Sequence, residues 1–339
     1  MKIIKVEDAV NSILCHDITQ IIPGKVKGRA FKKGHIIKPE DIPVLLSLGK
    51  DHIYVWEAKE GMLHENDAAI RLKELTAGKG LTFSEIKEGK IDFIAKEEGL
   101  LKVDKEGVFK LNSLGEICFA TLHNNMTVKA GQKVAGTRVI PLVIEEEIIK
   151  KAEEIIKEKL VRVLPIKSKK IGIVTTGNEV YHGRIKDAFG PAIIRKVQEF
   201  GCEVLGQIIL PDDAQKITDA IDEWKTKGAE MIICTGGMSV DPDDVTPSAI
   251  KNTGGEIVTY GSPVLPGAMF LLAYLDNIPV LGLPGCVMYS KRTIFDLVLP
   301  RLLAGEKLTK EDIMNYGHGG LCMDCDVCRF PNCNFGKGE

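Results

Sequence analysis

The sequence predicts an α/β protein. It reads as a three-layer α/β/α domain with a mainly parallel sheet, preceded by a smaller β-rich amino-terminal region and followed by a Cys-rich carboxyl-terminal tail. Three observations carry this reading. From Lys169 to about Glu306, short β-rich apolar runs alternate with segments whose apolar residues recur at the helical period. That β-α-β-α-β order implies parallel strands joined by crossover helices on both faces of one sheet. Before residue 165 the strand signals are short and turns are frequent, and at the other end four cysteines crowd into the last 18 residues.

The elements follow in order. Lys170-Ile171-Gly172-Ile173-Val174-Thr175 is a strand signal. A helix is expected from Gly190-Pro191, with Ile193, Ile194, Val197 and Phe200 in helical phase and Gly201 to end it. Residues 203–210 read as a strand. Pro211-Asp212-Asp213 opens a helix with Ile217, Ala220, Ile221 and Trp224 on one face. Met231-Ile232-Ile233-Cys234 reads as a buried strand, and Thr246-Pro247 as a helix start with Thr as N-cap and Pro at N1. Further strands are expected at 256–260, 269–274 and 280–283, then a last helix carrying Ile294, Phe295, Val298, Leu299 and Leu302 and stopping by Gly305.

In the amino-terminal part, residues 30–42 predict a small β-rich module with a short helix reaching Leu48-Gly49. Residues 100–117 read as one or two hairpins, turning at 104–107 and near 113–115, with another turn at Ala130-Gly131-Gln132. Residues 145–160 form a charged amphipathic helix with Ile148, Ile149, Ala152, Ile155 and Ile156 as its stripe. The expected division is a β-rich module at 1–60, an inserted α+β region at 61–165 ending in a connecting helix, the α/β domain at 166–308 and a Cys-rich, metal-binding tail at 309–339.

Bulk properties exclude several classes. At 339 residues the chain is long for one core. Net charge is −2, so no global field favours nucleic acid or an anionic membrane, and any anion site must be local. No apolar run approaches ~20 residues and the start lacks a signal-peptide core, so a cytoplasmic protein is expected. In a reducing cytosol, the scattered Cys15, Cys118, Cys202, Cys234 and Cys286 read as small hydrophobes rather than disulfides.

Chemistry concentrates in Thr235-Gly236-Gly237-Met238-Ser239, followed by Asp241-Pro242-Asp243-Asp244-Val245. Two glycines at the carboxyl end of a buried strand let the backbone turn with positive φ and expose consecutive N–H groups. Such a turn seats a phosphate, and the acids beyond it suggest a bridging cation. By itself the loop could equally be a structural turn. Thr175-Thr176-Gly177-Asn178-Glu179 ends another strand of the same sheet, and Asp187-Ala188-Phe189-Gly190-Pro191 sets an acid before a helix. Parallel topology brings all three to one edge, where ligands of open α/β sheets bind. A helix-start acid favoured by the dipole is the plainer reading of both Asp187 and Asp244.

These motifs, Thr-Gly-Asn-Glu, Asp-x-x-Gly-Pro and Thr-Gly-Gly-x-Ser followed by Asp-x-x-Pro, resemble the molybdopterin-binding domain of molybdenum cofactor biosynthesis proteins, which occurs in molybdopterin adenylyltransferases and molybdopterin molybdenumtransferases. The resemblance covers roughly 169–306 and includes Leu283-Pro284-Gly285. Residues 34–49 also resemble a molybdenumtransferase segment. It implies that Thr235, Gly236, Gly237 and Ser239 hold the pterin's terminal phosphate. Asp187 and Asp244 would match acids that bind Mg²⁺ or position the pterin and its adenylyl group. Thr176, Gly177 and Glu179 would line the neighbouring loop, with Pro284 and Gly285 in the adjoining turn. Implied partners are molybdopterin or its adenylylated form and molybdate, with a molybdoenzyme as recipient; a homo-oligomer is left open. The chain departs from the molybdenumtransferase pattern at Asn178, where that family has Asp, and at Cys286-Val287, where it has Asn-Pro. The implied activity is Mg²⁺-dependent molybdate insertion, with a non-catalytic cofactor carrier or sensor as the alternative. A nucleotide pyrophosphatase is a third, more remote reading.

The tail is a second candidate site. Cys322, Cys325, Cys328 and Cys333 follow a C-x2-C-x2-C-x4-C pattern. Structural zinc usually uses two C-x2-C pairs separated by a longer hairpin. The close triple is nearer the C-x2-C-x2-C-x3-C run of bacterial ferredoxins, which favours a [4Fe–4S] cluster over Zn²⁺. His318 reads as a loop residue or a stand-in ligand. With few apolar residues, the tail is expected to be loose without metal.

Overall fold

The computed structural model describes residues 2–22, 26–55 and 61–338. The chain folds as two compact units, one made of residues 1–96, 103–122 and 131–162, the other of 97–102, 123–130 and 163–339.

In the first unit, strands Ile18–Ile22 and Val26–Phe31 pair antiparallel, and helix Asp41–Ser47 follows. Val6, Leu14, Ile18, Ile37, Leu45 and Ile53 form a small core there. A four-stranded antiparallel sheet runs in the order Leu81–Phe83, Lys90–Ala95, Lys133–Val139, Ile117–Thr121. The charged amphipathic helix spans Glu146–Ile155, shorter than its apolar stripe suggests. Glu146 and Glu153 from that helix grip Arg71 of helix Glu65–Thr76 at 2.8–2.9 Å.

The hairpins expected over 100–117 are replaced by strand Gly99–Val103, helix Lys105–Asn112 and strand Ile117–Thr121. The Asp104 carboxylate accepts the Gly107 N–H at 3.0 Å and starts this helix. Gly107, which reads as a turn residue, is buried in the helix because Leu160 packs where a β-carbon would stand, 2.3 Å away. Tertiary packing chose the residue and outweighed its turn preference.

The second unit holds the α/β domain. Its strands are β1 (Lys170–Thr176), β2 (Glu203–Leu210), β3 (Met231–Thr235), β4 (Glu256–Tyr260), β5 (Leu271–Leu275) and β6 (Ile278–Leu283). The sheet order is β2-β1-β3-β6-β5-β4. The first four of these run parallel, and β5 and β4 add an antiparallel edge. Helices α1 (Phe189–Gln198) and α4 (Ile294–Leu303) pack with Ile171, Ile173, Ile233 and Leu281 in one core. Helices α2 (Ala214–Thr226) and α3 (Thr246–Asn252) pack with Val174, Ile232, Cys234 and Val280 in another. Alternate residues of β1 and β3 therefore feed opposite cores, so the middle of each strand, Ile171–Val174 and Met231–Cys234, carries no polar side chain. Gly172 is required where Trp224 of α2 lies on the strand, since a β-carbon would meet the indole at 2.4 Å.

The tail docks on this domain. Cys322 donates its N–H to Leu265 and Leu265 donates to Gly320, at 2.8 and 2.9 Å, and Phe335 is buried in the core of α4. Backbone pairing and one aromatic anchor thus tie the tail to the domain. Among the described residues, no helix is long and apolar enough to cross a membrane.

Candidate functional site

Strand register builds the candidate site. Thr175 of β1 lies opposite Thr235 of β3, and Thr235 opposite Leu283 of β6. The residues that follow, Thr176-Gly177, Gly236-Gly237 and Pro284-Gly285, therefore leave the sheet side by side at its carboxyl edge. Segments separated by up to about 110 residues in sequence meet there because the strands are parallel and in step.

The Gly-Gly turn is fixed by sterics. Gly236 has φ +85° and Gly237 φ +54°. A β-carbon on Gly236 would stand 2.1 Å from the Thr176 carbonyl oxygen, so only glycine permits this approach between the two loops. Among the described residues, the backbone N–H groups of Gly237, Met238, Ser239 and Val240 donate no hydrogen bond within the protein. Four successive unsatisfied donors at a strand end favour an anion.

Thr246 behaves differently from the expected N-cap. It is the first residue of α3, Val245 occupies the cap position, and Pro247 follows in the first turn. The Thr246 hydroxyl instead donates to the Gly236 carbonyl at 2.7 Å and lies 3.3 Å from the Thr176 hydroxyl. It ties the start of α3 to both glycine loops, a competition between side chain and backbone common to Ser and Thr.

The acids divide. Asp187 accepts the Phe189 and Gly190 N–H groups at 2.8 and 3.1 Å, and the Gln207 amide at 2.7 Å. Both oxygens are thereby engaged in starting α1, and Gln207 also donates to Thr175 at 2.8 Å. Asp244 accepts the Asp241 N–H through one oxygen at 2.9 Å. No described contact joins Asp187 to Asp244. Among the described residues, no three or more His, Cys, Asp or Glu are gathered into a ready-made site for a metal ion. Glu179 and Ser239 are exposed, Thr176, Gly177 and Pro284 buried, and Gly285 exposed.

Sequence reasoning missed three participants. Gln207 links Asp187 to β1. Asp212 accepts the Asn178 N–H at 3.0 Å and steadies the Thr176-Gly177 loop. The Tyr260 hydroxyl, from the far edge strand, lies 2.9 Å from the Met238 carbonyl and 3.2 Å from that of Ser239. Burial, then the negative charge of Asp244, pushes the Tyr260 hydroxyl above its ordinary pKa, so it stays a donor to the loop. Each acts through a contact over 20 or more residues, and no local pattern announces it.

The four tail cysteines line one cavity of about 420 Å³ with Lys291, Arg292, Phe330 and Phe335. Cys325 and Cys328 are exposed, while Cys322 and Cys333 are half-buried. The scattered thiols divide: Cys15, Cys202 and Cys234 are buried, Cys286 half-buried and Cys118 exposed.

Comparison with known proteins bears on this edge. Residues 172–304 match the family model described as "Probable molybdopterin binding domain", and residues 3–57 match a domain of unknown function. A molybdopterin molybdenumtransferase from Synechococcus elongatus is 27% identical over 152 residues, covering 42% of this chain and 38% of its own. A molybdopterin adenylyltransferase from Pyrococcus furiosus is 30% identical over 95 residues, covering 28% of this chain and 56% of its own. The crystal structure of the molybdopterin biosynthesis enzyme MoaB from Thermus thermophilus aligns with TM-score 0.34 and 21% identity, covering 41% of this chain and 98% of its own. This chain matches less than two fifths of the length of the molybdenumtransferases.

Proposed function

We propose, from a domain at 172–304 that belongs to the molybdopterin-binding superfamily, that this protein binds molybdopterin through its terminal phosphate at the Gly-Gly edge. The single observation carrying this is the run of four unsatisfied N–H groups at Gly237–Val240, held open by Gly236 against Thr176. The phosphate would accept from that run, with the Ser239 hydroxyl beside it. Thr176, Gly177 and Glu179 would flank it from one strand end, Pro284 and Gly285 from the other.

The finer reading is molybdenumtransferase-like: Mg²⁺-dependent insertion of molybdate into adenylylated molybdopterin. Mg²⁺ usually takes one or two carboxylates and completes its shell with substrate phosphate and water. Asp244 fits that donor set, because one of its oxygens accepts no described bond. Asp187 fits it poorly, because its acceptors are spent on α1 and Gln207; we assign it the positioning of the loop before α1. When bound, Mg²⁺ would neutralise charge on phosphoryl oxygens. The chain's own part is to bind the phosphate by backbone and to fix the pterin between three strand ends. Nine unbridged cysteines support a reducing, cytoplasmic setting.

The alternative is a carrier or sensor that binds cofactor without turnover, its tail reporting redox state or docking to a molybdoenzyme. Asn178 and Cys286, which depart from the molybdenumtransferase pattern, favour it. Anaerobic incubation with adenylylated molybdopterin, Mg²⁺ and molybdate separates the two. Release of AMP supports the enzyme; tight binding without consumption leaves the carrier; absence of binding removes both.

A further inference from the structure

We infer that the four tail thiols ligate a [4Fe–4S] cluster, with Lys291 and Arg292 as its cationic partners. This site is separate from the Gly-Gly edge and does not depend on the ligand bound there.

The cysteines span residues 322–333, a stretch without helix or strand, so their positions are set by anchors at its two ends. Cys322 is held by pairing with Leu265, and Phe335, just after Cys333, is buried in the core. The intervening loop carries all four thiols around one cavity of about 420 Å³. A single tetrahedral zinc at ~2.3 Å from each sulfur would draw the sulfurs to within about 3.8 Å of one another. In a cubane core each sulfur binds a different iron, so the ligands stand around a multi-atom body instead of one ion. The spacing agrees: three cysteines at intervals of three, then a fourth beyond Pro331.

The surroundings suit the charge. Two ferrous and two ferric ions with four sulfides make the core without gain or loss of electrons. Four thiols lose protons to solvent on ligation, leaving the ligated cluster at about −2. Lys291 and Arg292 line the same cavity. The Lys291 ammonium donates to the Cys325 and Asp326 carbonyls at 2.9 Å each, straddling the middle of the ligand loop. The Arg292 guanidinium lies 5.1 Å from the Phe330 ring centre and lines the same cavity as Cys328. Arg292 is braced by Asp296 at 2.8 Å, itself buried and paired with Lys196 at 2.7 Å. Two cations are thus fixed at a cavity whose remaining walls include Leu321, Val327 and Phe335. Such an arrangement stabilises an anionic cluster and shields part of it from water.

The test uses the full chain purified anaerobically, then supplied with equal ferrous and ferric iron and with sulfide. The expected result is about four iron and four sulfide per chain, with visible absorption that bleaches under dithionite. Cys325→Ser and Cys328→Ser should each lose more than half the bound iron, while Cys118→Ser, in the other unit, loses none. Circular dichroism checks that each variant is folded. Lys291→Met should keep the iron but shift the reduction potential to more negative values, because a cation facing the cluster is gone. One zinc per chain without sulfide, no retained iron, or equal iron in the folded serine variants would overturn the assignment. An unchanged potential in Lys291→Met would remove Lys291 as a partner.

Discussion

The Gly-Gly edge and the cysteine tail lie in the same unit but are built by different rules. The edge is assembled by register: Thr175, Thr235 and Leu283 stand in one row, so three loops far apart in sequence leave the sheet together. The tail is assembled by spacing: four thiols within twelve residues surround one cavity wherever the loop is anchored. A register-built site is stiff and intolerant at its backbone contacts. A spacing-built site tolerates backbone change but depends on each ligand.

The sharpest way to break this contrast is at glycine. Gly236→Ala places a methyl 2.1 Å from the Thr176 carbonyl at a left-handed φ. It should destabilise the protein by about 3 kcal/mol, measured by urea unfolding, and abolish pterin binding. Gly285→Ala, at the same edge but with open space around its β-position, should stay within about 0.5 kcal/mol of the parent. Equal effects would mean that the close approach of the two loops is not what shapes the site.

The acids give the next contrast. Asp187→Ala removes the acceptor for two N–H groups at the start of α1 and should cost about 1 kcal/mol. Asp244→Asn should leave the unfolding midpoint nearly unchanged but lower any turnover by 10-fold or more, on the order of oxygen-ligand losses in phosphoryl sites. Turnover unchanged in Asp244→Asn would remove it from the chemistry.

A smaller effect is expected where the tail leaves α4. Burial pushes the Asp312 carboxyl up, but hydrogen bonds from Arg301 and Thr309 outweigh it and hold the group below its ordinary value. A depressed acid stabilises fully above the ordinary carboxylate range and loses that contribution as pH falls through its lower folded value. Stability should therefore fall below about pH 4 as this group takes up its proton, and Asp312→Asn should flatten that part of the profile.

The mildest test leaves stability untouched. Burial raises the Cys234 thiol to about 12, so it should resist alkylation at pH 8. Exposed Cys325 and Cys328 should react in metal-free protein and become protected when the tail is loaded.

How much of this was legible follows the same division. β2 and β4 fall on residues 203–210 and 256–260 as read, because β-rich apolar runs between turn residues leave little alternative. The Gly-Gly turn was legible because two glycines after a buried strand have few other uses. Helix Lys105–Asn112 was not, since Gly107 reads as a turn until Leu160 is packed on it. Gln207, Asp212 and Tyr260 were hidden because ordinary residues acquire their roles only through long-range pairing. Asp187 was singled out by its position before a helix, and its oxygens accept the N–H groups at the start of α1 and the more distant Gln207 amide.

Amide hydrogen exchange over Gly237–Val240, with and without molybdopterin under anaerobic conditions, tests the central claim most directly. These N–H groups donate no internal bond, so they should exchange rapidly in the free protein and slow at least 10-fold when the phosphate is seated. Saturating ligand that leaves the exchange of these four amides unchanged would contradict the account.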